Sequence, residues 1–431
     1  MQHDRLYIHN MDKRLFLKQL AGVGVLAPFG LTHLGDLFDE KKDIPTEILA
    51  SDEAFWNKIR EHYKLKTDYI NLENGYYCFL PQQTLEHYIE HIREVNLQGS
   101  WYMRTIQWEM KKKSAQHLAQ MAGCNTDELI ITRNTTESLD LIISGQHWKE
   151  GDEAIMAAQD YGAMLNQFKM VSKRYGVVNK ILSIPNHPKS DEEIVNLYES
   201  AITNRTKLLM ICHMVNITGQ ILPVKKICDM AHKHGVKVMV DGAHAFGHIE
   251  FSIPELNCDY YGTSLHKWLS VPLGAGFLYV KKENIASLYP LFAEEPLESD
   301  DIYRLNHTGT HPVHTDLAII NAIEYHKMIG AAKKEARLRY LQYYWTSKVR
   351  DKTKVVVNTP VEQHRHCAIG NVGIEGIDPK ALSRIMLEKY KIWTVAIDRP
   401  NVRGLRITPN VYTTTNELDI FVDALIAVSE S

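Results

Sequence analysis

Short apolar runs recur along the first two thirds of the chain, and each is followed by polar or aromatic residues. The clearest runs span residues 129–132, 151–157, 207–212 and 236–240. Runs of this length predict buried strands, and helical patterns separate most of them. Strands that alternate with helices are typical of a parallel sheet wound with helices, so the pattern predicts an α/β fold.

Helical periodicity and further strand patterns fill the rest of the chain. Apolar residues at helical spacing give residues 36–73 an amphipathic face, and residues 82–122 are helical with an interruption near Gly99. The length of a helical run over residues 313–350 predicts a connector into a second domain. Beyond it we predict strands at 355–358, 368–374, 392–397 and 404–412, and a helix at 378–390.

The N-terminus departs from this globular pattern. A basic segment, residues 11–18, precedes residues 19–35, which contain no Asp, Glu, Lys or Arg. This is the pattern of an export signal, and the apolar part is short for a membrane span, which needs ~20 residues. Lys13 and Arg14 resemble a twin-arginine signal whose first arginine is replaced by lysine. We expect export to the periplasm; the alternatives are an amphipathic helix, an uncleaved or lipid-attached anchor, and a cytoplasmic location.

Charge and cysteine content limit the classes of binding partner and of metal or disulfide site that the chain can have. Lys plus Arg number 49 against 52 Asp plus Glu, so no basic excess is available for nucleic acid or an anionic membrane surface. A small-molecule partner is expected instead. The six cysteines form no CxxC pair, which argues against a zinc site and against a disulfide framework, and we expect no metal.

The richest stretch for chemistry runs from residue 236 to residue 280. Its first apolar run ends in Asp241, at the edge where open α/β sheets bind ligands. Tyr260 and Tyr261 close a second short strand, and Lys267 follows in a loop. Pyridoxal phosphate chemistry needs a lysine that forms a Schiff base and a carboxylate that keeps the pyridine nitrogen protonated. The alternative is a buried aspartate beside a surface lysine.

Three other places offer partners for such a cofactor. Thr135 and Thr136 lie in a turn, with Asn134, that caps a helix predicted from about Glu137, and backbone N–H groups at a helix N-terminus bind phosphate; capping alone is the alternative. Tyr161 follows a strand and could stack on a heteroaromatic ring or simply fill the core. Arg406 lies among apolar residues of a predicted strand and needs an anionic partner, either a substrate carboxylate or a protein carboxylate.

Together these segments resemble the class V aminotransferase branch of the fold-type I pyridoxal-phosphate enzymes, in particular the isopenicillin-N-epimerase-like group. The matching segments are LENGYYCFLP, TRNTTESLDL, QDYGAM, HMVNITGQILPV, VDGAHAFG, GTSLHKW, NHTGTHP and LRITPNVYTT. They occur in family order from about residue 72 to the end. The resemblance implies a mostly parallel central sheet wound with helices and a smaller α+β C-terminal domain. The expected parts are an export signal-like segment (1–35), a segment packing on the small domain (36–78), a large cofactor-binding domain (79–325) and the small domain (326–431).

The resemblance also implies roles for individual residues. Lys267 would form the Schiff base with pyridoxal 5'-phosphate and shuttle the α-proton, and Asp241 would pair with the pyridine nitrogen. The remaining expected roles are ring stacking for Tyr161, phosphate binding for Thr135, Thr136, Ser264 and His266, ring-hydroxyl and substrate contacts for Asn216 and His244, and substrate binding for Asn74 and Arg406. Gly309 and Thr310 resemble a loop that reaches the phosphate of a neighbouring subunit, which implies a homodimer with a shared active site.

The expected function is transamination or epimerisation at the α-carbon of an amino acid or a small peptide-like amine. The alternatives are a C–S lyase or cysteine desulfurase-like enzyme, and an inactive binding protein that retains the fold. Desulfurases of this class carry a nucleophilic cysteine shortly before the carboxylate-binding arginine, but residues 393–405 contain none. Cys367 lies in an earlier interval, and we expect it to be a buried strand residue.

Overall fold

The computed structural model describes residues 44–292 and 299–431. The export signal-like segment, residues 1–35, lies outside these ranges, so export stays a prediction. Among the helices that the structure describes, none has the length and apolar character needed to cross a bilayer.

The described strands form three sheets. In chain order the strands are β1 (Ile70–Asn71), β2 (Leu129–Thr132), β3 (Glu153–Ala157), β4 (Val178–Leu182), β5 (Thr206–Cys212), β6 (Lys237–Asp241), β7 (Tyr260–Ser264), β8 (Gly276–Val280), β9 (Val355–Val357), β10 (Gly370–Ile374), β11 (Ile392–Trp393), β12 (Val395–Arg399) and β13 (Val402–Ile407). Seven of them form the central sheet in the order β2-β8-β7-β6-β5-β3-β4. Strand β8 is antiparallel to both its neighbours, and the other neighbouring pairs are parallel. The predicted, mostly parallel α/β sheet is therefore confirmed.

The described helices include those that cover both faces of the central sheet and those that pack on the smaller sheet. In chain order they are α1 (Thr46–Ala50), α2 (Glu53–Arg60), α3 (Gln82–Gln98), α4 (Ser100–Thr105), α5 (Gln107–Ala122), α6 (Thr135–Gly145), α7 (Gly162–Tyr175), α8 (Asp191–Glu199), α9 (Val224–Lys233), α10 (Ile253–Leu256), α11 (Val313–Ile329), α12 (Ala331–Val349), α13 (Pro379–Tyr390) and α14 (Thr415–Glu430). Alternate residues of β2, β3, β5, β6, β7 and β8 enter opposite cores, as in β5, where Leu209 joins one cluster and Met210 the other. One core includes residues of α5, α8, α9 and α11, and the other includes residues of α6 and α7. Burial on both faces explains why these strands are continuous apolar runs.

The smaller sheet is antiparallel, with the order β12-β13-β10-β9. Its core joins Leu405 of β13 to Trp345 of α12 and Phe421 of α14. The segment that precedes the large sheet contacts this part of the chain, since β1 pairs with β11 and Glu53 forms an ion pair with Arg337. The exact domain boundaries stay a prediction.

Several element bounds differ from the sequence-based expectations. The strand that we expected to close at Tyr261 instead begins at Tyr260 and continues to Ser264. Gly262 lies inside this strand and does not end it. A Cβ at Gly262 would lie 2.7 Å from Leu139, so the glycine is needed there for α6 to pack closely on the strand. The long run at 313–350 is two helices that separate at Gly330, and the exposed edge strand β4 was not predicted.

Candidate active site

The carboxyl ends of five strands meet at one edge of the central sheet. Strands β3, β5, β6 and β7 are parallel, and β2 points the same way because β8 is antiparallel to both β2 and β7. A cavity of about 250 Å³ opens at this edge. It is lined by Gly75, Tyr76, Asn134, Thr135, Thr136, Tyr161, Cys212, Met214, Asn216, Asp241, Ala243, His244, Ser264, His266, Lys267 and Arg406. The fold thus brings together residues from seven separate segments of the chain.

Lys267 and Asp241 lie in this cavity, as the sequence predicted. Asp241 ends β6, is buried, and accepts a hydrogen bond of 3.0 Å from the Ala243 N–H. Burial lowers the pKa of Lys267 to about 8, and the charge of Asp241 opposes that shift. Burial raises the pKa of Asp241, against the Ala243 N–H and the charge of Lys267. A protonated pyridine nitrogen would supply the positive partner that this buried carboxylate needs.

Hydroxyl groups and a helix N-terminus form a second part of the site. The Thr135 N–H donates to Ser264 Oγ at 2.9 Å, and Thr135 Oγ1 lies 2.7 Å from the same oxygen. Thr135 is the first residue of α6, and Ser264 contacts it. Both therefore lie at a helix N-terminus, where backbone N–H groups favour anions. His266 Nδ1 is buried and has no hydrogen-bond partner among the described residues. Together with Thr136, these groups fit the phosphate of the predicted cofactor.

Arg406 also lines the cavity. Its Nη2 lies 2.5 Å from Glu73 Oε1 and its Nε 3.1 Å from Glu73 Oε2, while Nη1 donates to the Asn216 carbonyl at 3.3 Å. The salt bridge to a protein carboxylate, one of the two expected partners, is therefore present. Because Arg406 also lines the cavity and has more N–H groups than Glu73 and Asn216 use, it can donate to an anion there.

Gly75 makes the position of Arg406 possible. A Cβ on Gly75 would lie 2.8 Å from Cζ and 2.9 Å from Nη2 of that arginine. The bare backbone therefore packs directly against the guanidinium group. Neighbouring Tyr76 lines the cavity with a ring that is 75% exposed, so it lies at the mouth of the site.

His244 and Tyr161 complete the set of predicted residues that the cavity brings together. His244 Nε2 lies 3.1 Å from Lys267 Nζ, and burial lowers the pKa of His244 well below its usual range. Tyr161 is 47% exposed and follows β3, so one face of its ring is available to a ligand.

Two predicted residues lie elsewhere. Asn74 is fully buried and does not line the cavity: its amide donates to the Thr408 carbonyl at 2.7 Å and accepts from Tyr412 at 2.8 Å. Asn74 therefore holds the loop that carries Glu73 and Gly75. Thr310, with Gly309, lines a different surface cavity of about 740 Å³. Its predicted contact with a neighbouring subunit stays a prediction.

Sequence reasoning assigned no role to four residues that shape the site. Glu73 was missed because its partner Arg406 is distant in the chain. Cys212, Met214 and Ala243 line the cavity at the ends of β5 and β6, and their position at strand ends was the available signal. Cys212 donates to Asp160 Oδ1 at 3.2 Å, and burial raises the pKa of its thiol.

Comparison with known proteins agrees with this geometry. The chain is 27% identical over 395 residues to an isopenicillin N epimerase of Streptomyces clavuligerus, covering 87% of this chain and 99% of that protein. It is 26% identical over 274 residues to a probable cysteine desulfurase of Halalkalibacterium halodurans, covering 61% of this chain and 66% of the relative.

Two solved structures share the fold. An apo cysteine desulfurase of Thermococcus onnurineus superposes with a TM-score of 0.76 at 19% identity, covering 86% of this chain and 97% of that one. A C-DES lysine-to-alanine mutant, with glycine covalently linked to its PLP cofactor, gives a TM-score of 0.76 at 18% identity, covering 85% and 98%.

Fold and site together define an α/β enzyme of the fold-type I pyridoxal-phosphate class. The aminotransferase class V family model matches residues 79–396, and the chain belongs to that family. The predictions of family, fold and pyridoxal 5'-phosphate cofactor are confirmed.

Proposed function

We propose that the protein acts at the α-carbon of an amino acid or a small peptide-like amine, by epimerisation or transamination. One observation carries the proposal: the amine of Lys267, whose pKa is lowered to about 8, shares a cavity with Asp241 and Arg406. A base, a carboxylate and a carboxylate-binding cation are the groups that amino acid chemistry at an α-carbon requires.

Each group has a distinct task in this proposal. When bound, pyridoxal 5'-phosphate stabilises the electron pair left on the α-carbon. Lys267 Nζ would hold the cofactor covalently and, once released, would move the α-proton of the substrate. Asp241 retains a proton on the ring nitrogen, and Arg406 orients the α-carboxylate. Thr135, Thr136, Ser264 and His266 would bind the phosphate, Tyr161 would stack on the ring, and Asn216 and His244 would lie beside it; all of them line the same cavity.

The cysteines of the described chain favour α-carbon proton transfer over desulfuration. Cys367 is fully buried, and burial raises the pKa of its thiol to about 12. Cys78, also buried, has a pKa of about 12 for the same reason. Cys212 lines the cavity, but burial raises the pKa of its thiol as well, and the thiol donates to Asp160. A persulfide carrier needs a reactive thiolate, and burial keeps these three thiols protonated.

Similarity to the isopenicillin N epimerase supports a peptide-like amine as one substrate class, because the similarity extends over nearly the whole of that protein.

We also propose a homodimer. The cavity at Gly309 and Thr310 is bordered by Trp108, whose side chain is 61% exposed. In a dimer, a partner subunit that contacts Gly309 and Thr310 would also cover the exposed ring of Trp108.

Incubation of the reconstituted enzyme with L- and D-amino acids and short peptides in deuterated water tests the proposal. NMR follows loss of the α-proton, chiral chromatography follows inversion, and an assay for the keto product follows transamination. We expect at least one substrate to exchange its α-proton with inversion or keto-product formation, and Lys267→Ala to abolish the exchange. Formation of alanine and persulfide from cysteine as the main turnover would instead establish the desulfurase alternative.

A further inference from the structure

His244 lies between Lys267 and Trp268. The indole Nε1 of Trp268 is 3.3 Å from His244 Nδ1, and Lys267 Nζ is 3.1 Å from His244 Nε2. An indole nitrogen only donates hydrogen bonds, so His244 Nδ1 is the acceptor and carries no proton. A neutral imidazole has one N–H group, and that proton is therefore on Nε2, which faces the cavity.

The imidazole of His244 is neutral in this environment. Burial lowers its pKa well below the usual range, and the nearby charges of Lys267 and Arg406 lower it further. Its tautomer therefore decides whether the ring presents a donor or an acceptor to the cavity. The only indole that contacts it among the described residues is that of Trp268.

The position of Trp268 is fixed by burial, by ring stacking and by a hydrogen bond to its backbone. Its ring is fully buried and stacks on His248 with centroids 3.6 Å apart, and Lys334 donates to its carbonyl oxygen. The Ala368 N–H donates to His248 Nε2 at 3.0 Å, so the proton of His248 is on Nδ1, which donates to the His244 carbonyl at 2.7 Å. Three hydrogen bonds link these side chains: Ala368 N–H to His248, His248 to the His244 carbonyl, and Trp268 to His244. The direction of each is fixed, because one partner is a backbone or indole group.

We propose that Trp268 is a positioning residue that holds His244 in the Nε2–H tautomer, so that His244 presents a hydrogen-bond donor to the cavity. For its consequence the inference rests on the proposed function. Before the cofactor binds, the donor stabilises the neutral amine of Lys267. With the cofactor present, such a donor would favour a negatively charged oxygen of the cofactor ring. The opposite tautomer would place a lone pair there, which would repel such an oxygen and favour the lysine ammonium.

The tautomer is measurable in the cofactor-free protein by NMR of ¹⁵N-labelled histidine. The His244→Gln variant assigns the signal by its disappearance. We expect a protonated Nε2 and an unprotonated Nδ1 in the wild-type protein. A protonated Nδ1 would overturn the proposal, whether or not the enzyme later proves to catalyse the proposed reaction.

The Trp268→Phe variant removes the indole donor and keeps a ring to stack on His248. We expect the His244 signal to shift toward the Nδ1–H tautomer, and the pH midpoint for acylation of Lys267 to rise by about one unit, a tenfold loss of free amine at neutral pH. The other groups that act electrostatically on this amine keep their identity in the variant: Asp241, Arg406, Cys78 and Cys212, with His266 adjacent. An unchanged tautomer in a folded Trp268→Phe protein would overturn the proposal.

Trp56→Phe is the matched control. Trp56 is equally buried and donates its indole N–H to the Leu49 carbonyl at 2.8 Å, away from the cavity. It loses the same donor and the same volume, so its His244 signal and Lys267 midpoint are expected to match the wild type. Circular dichroism checks the fold of both variants. If Trp268→Phe does not fold, the wild-type tautomer alone decides the question.

Discussion

Glu73 and Arg406 form a buried ion pair in the wall of the active-site cavity. The exposed fractions of the two residues are 8% and 7%, and two hydrogen bonds join the carboxylate to one edge of the guanidinium. Guanidinium has five N–H groups, so Glu73 can orient Arg406 without exhausting its donors. The arginine is thereby held ready for a second carboxylate on its remaining edge.

Removal of the Glu73 charge should weaken the fold and make it depend on an external anion. Breaking a buried pair leaves one charge uncompensated, so we expect Glu73→Gln to lower the free energy of unfolding by about 3–5 kcal/mol. Acetate, used as a carboxylate probe, should then raise the melting temperature of the variant more than that of the wild type.

Two controls accompany this measurement. Asp398→Asn removes the acid of an exposed ion pair, Asp398 with Arg403, and should cost less than about 1 kcal/mol. Arg406→Gln should show no specific acetate effect. Equal acetate shifts in Glu73→Gln and the wild type would contradict an anion site at Arg406.

Gly75→Ala tests the contact between the loop and the guanidinium. The added methyl group would lie within 3.0 Å of three guanidinium atoms, so Arg406 must move. Loss of about 2 kcal/mol of carboxylate binding would raise KM roughly 30-fold, with a smaller effect on kcat, because the interaction is present before the chemical step. Steady-state kinetics on the substrate found by the exchange screen gives both constants. An unchanged KM would show that Arg406 does not bind the substrate carboxylate.

The lowered pKa of Lys267 predicts the pH dependence of its reactivity in the cofactor-free protein. Burial favours the neutral amine, so the reactive fraction rises with pH, reaches half near pH 8 and levels off above it. At pH 7 the free-amine fraction should be roughly 300-fold that of an ordinary lysine. Competitive acetylation with mass spectrometry of the Lys267 peptide measures this midpoint, with surface lysine peptides as the internal reference. A midpoint above pH 10 would contradict the buried environment of the amine.

The chemistry at the ends of the parallel strands was predictable from the sequence. Strands β5 and β6 are buried on both faces, so they appear as uninterrupted apolar runs, and Asp241 marks the point where one run stops. By contrast, β4 is an edge strand with exposed residues, and it gave no such signal.

Partnerships between distant segments were not predictable in the same way. Arg406 was expected to need an anion, but nothing local identifies Glu73, which lies 333 positions away. Asn74 was expected to contact substrate, yet its amide is used by Thr408 and Tyr412. Hydrogen bonds of this kind depend on how β1 and β13 are brought together, which periodicity does not encode.

The most direct test of the central claim is to identify the lysine that binds the cofactor. Borohydride reduction of the reconstituted protein, followed by peptide mass spectrometry, locates the modified residue. Lys334 is the competitor within the described chain, because burial lowers its pKa to about 8 as well, but it does not line the cavity. We predict one modified peptide, containing Lys267, and no visible cofactor band in Lys267→Ala. Modification at Lys334, or none at all, would contradict the assignment of Lys267 as the catalytic base.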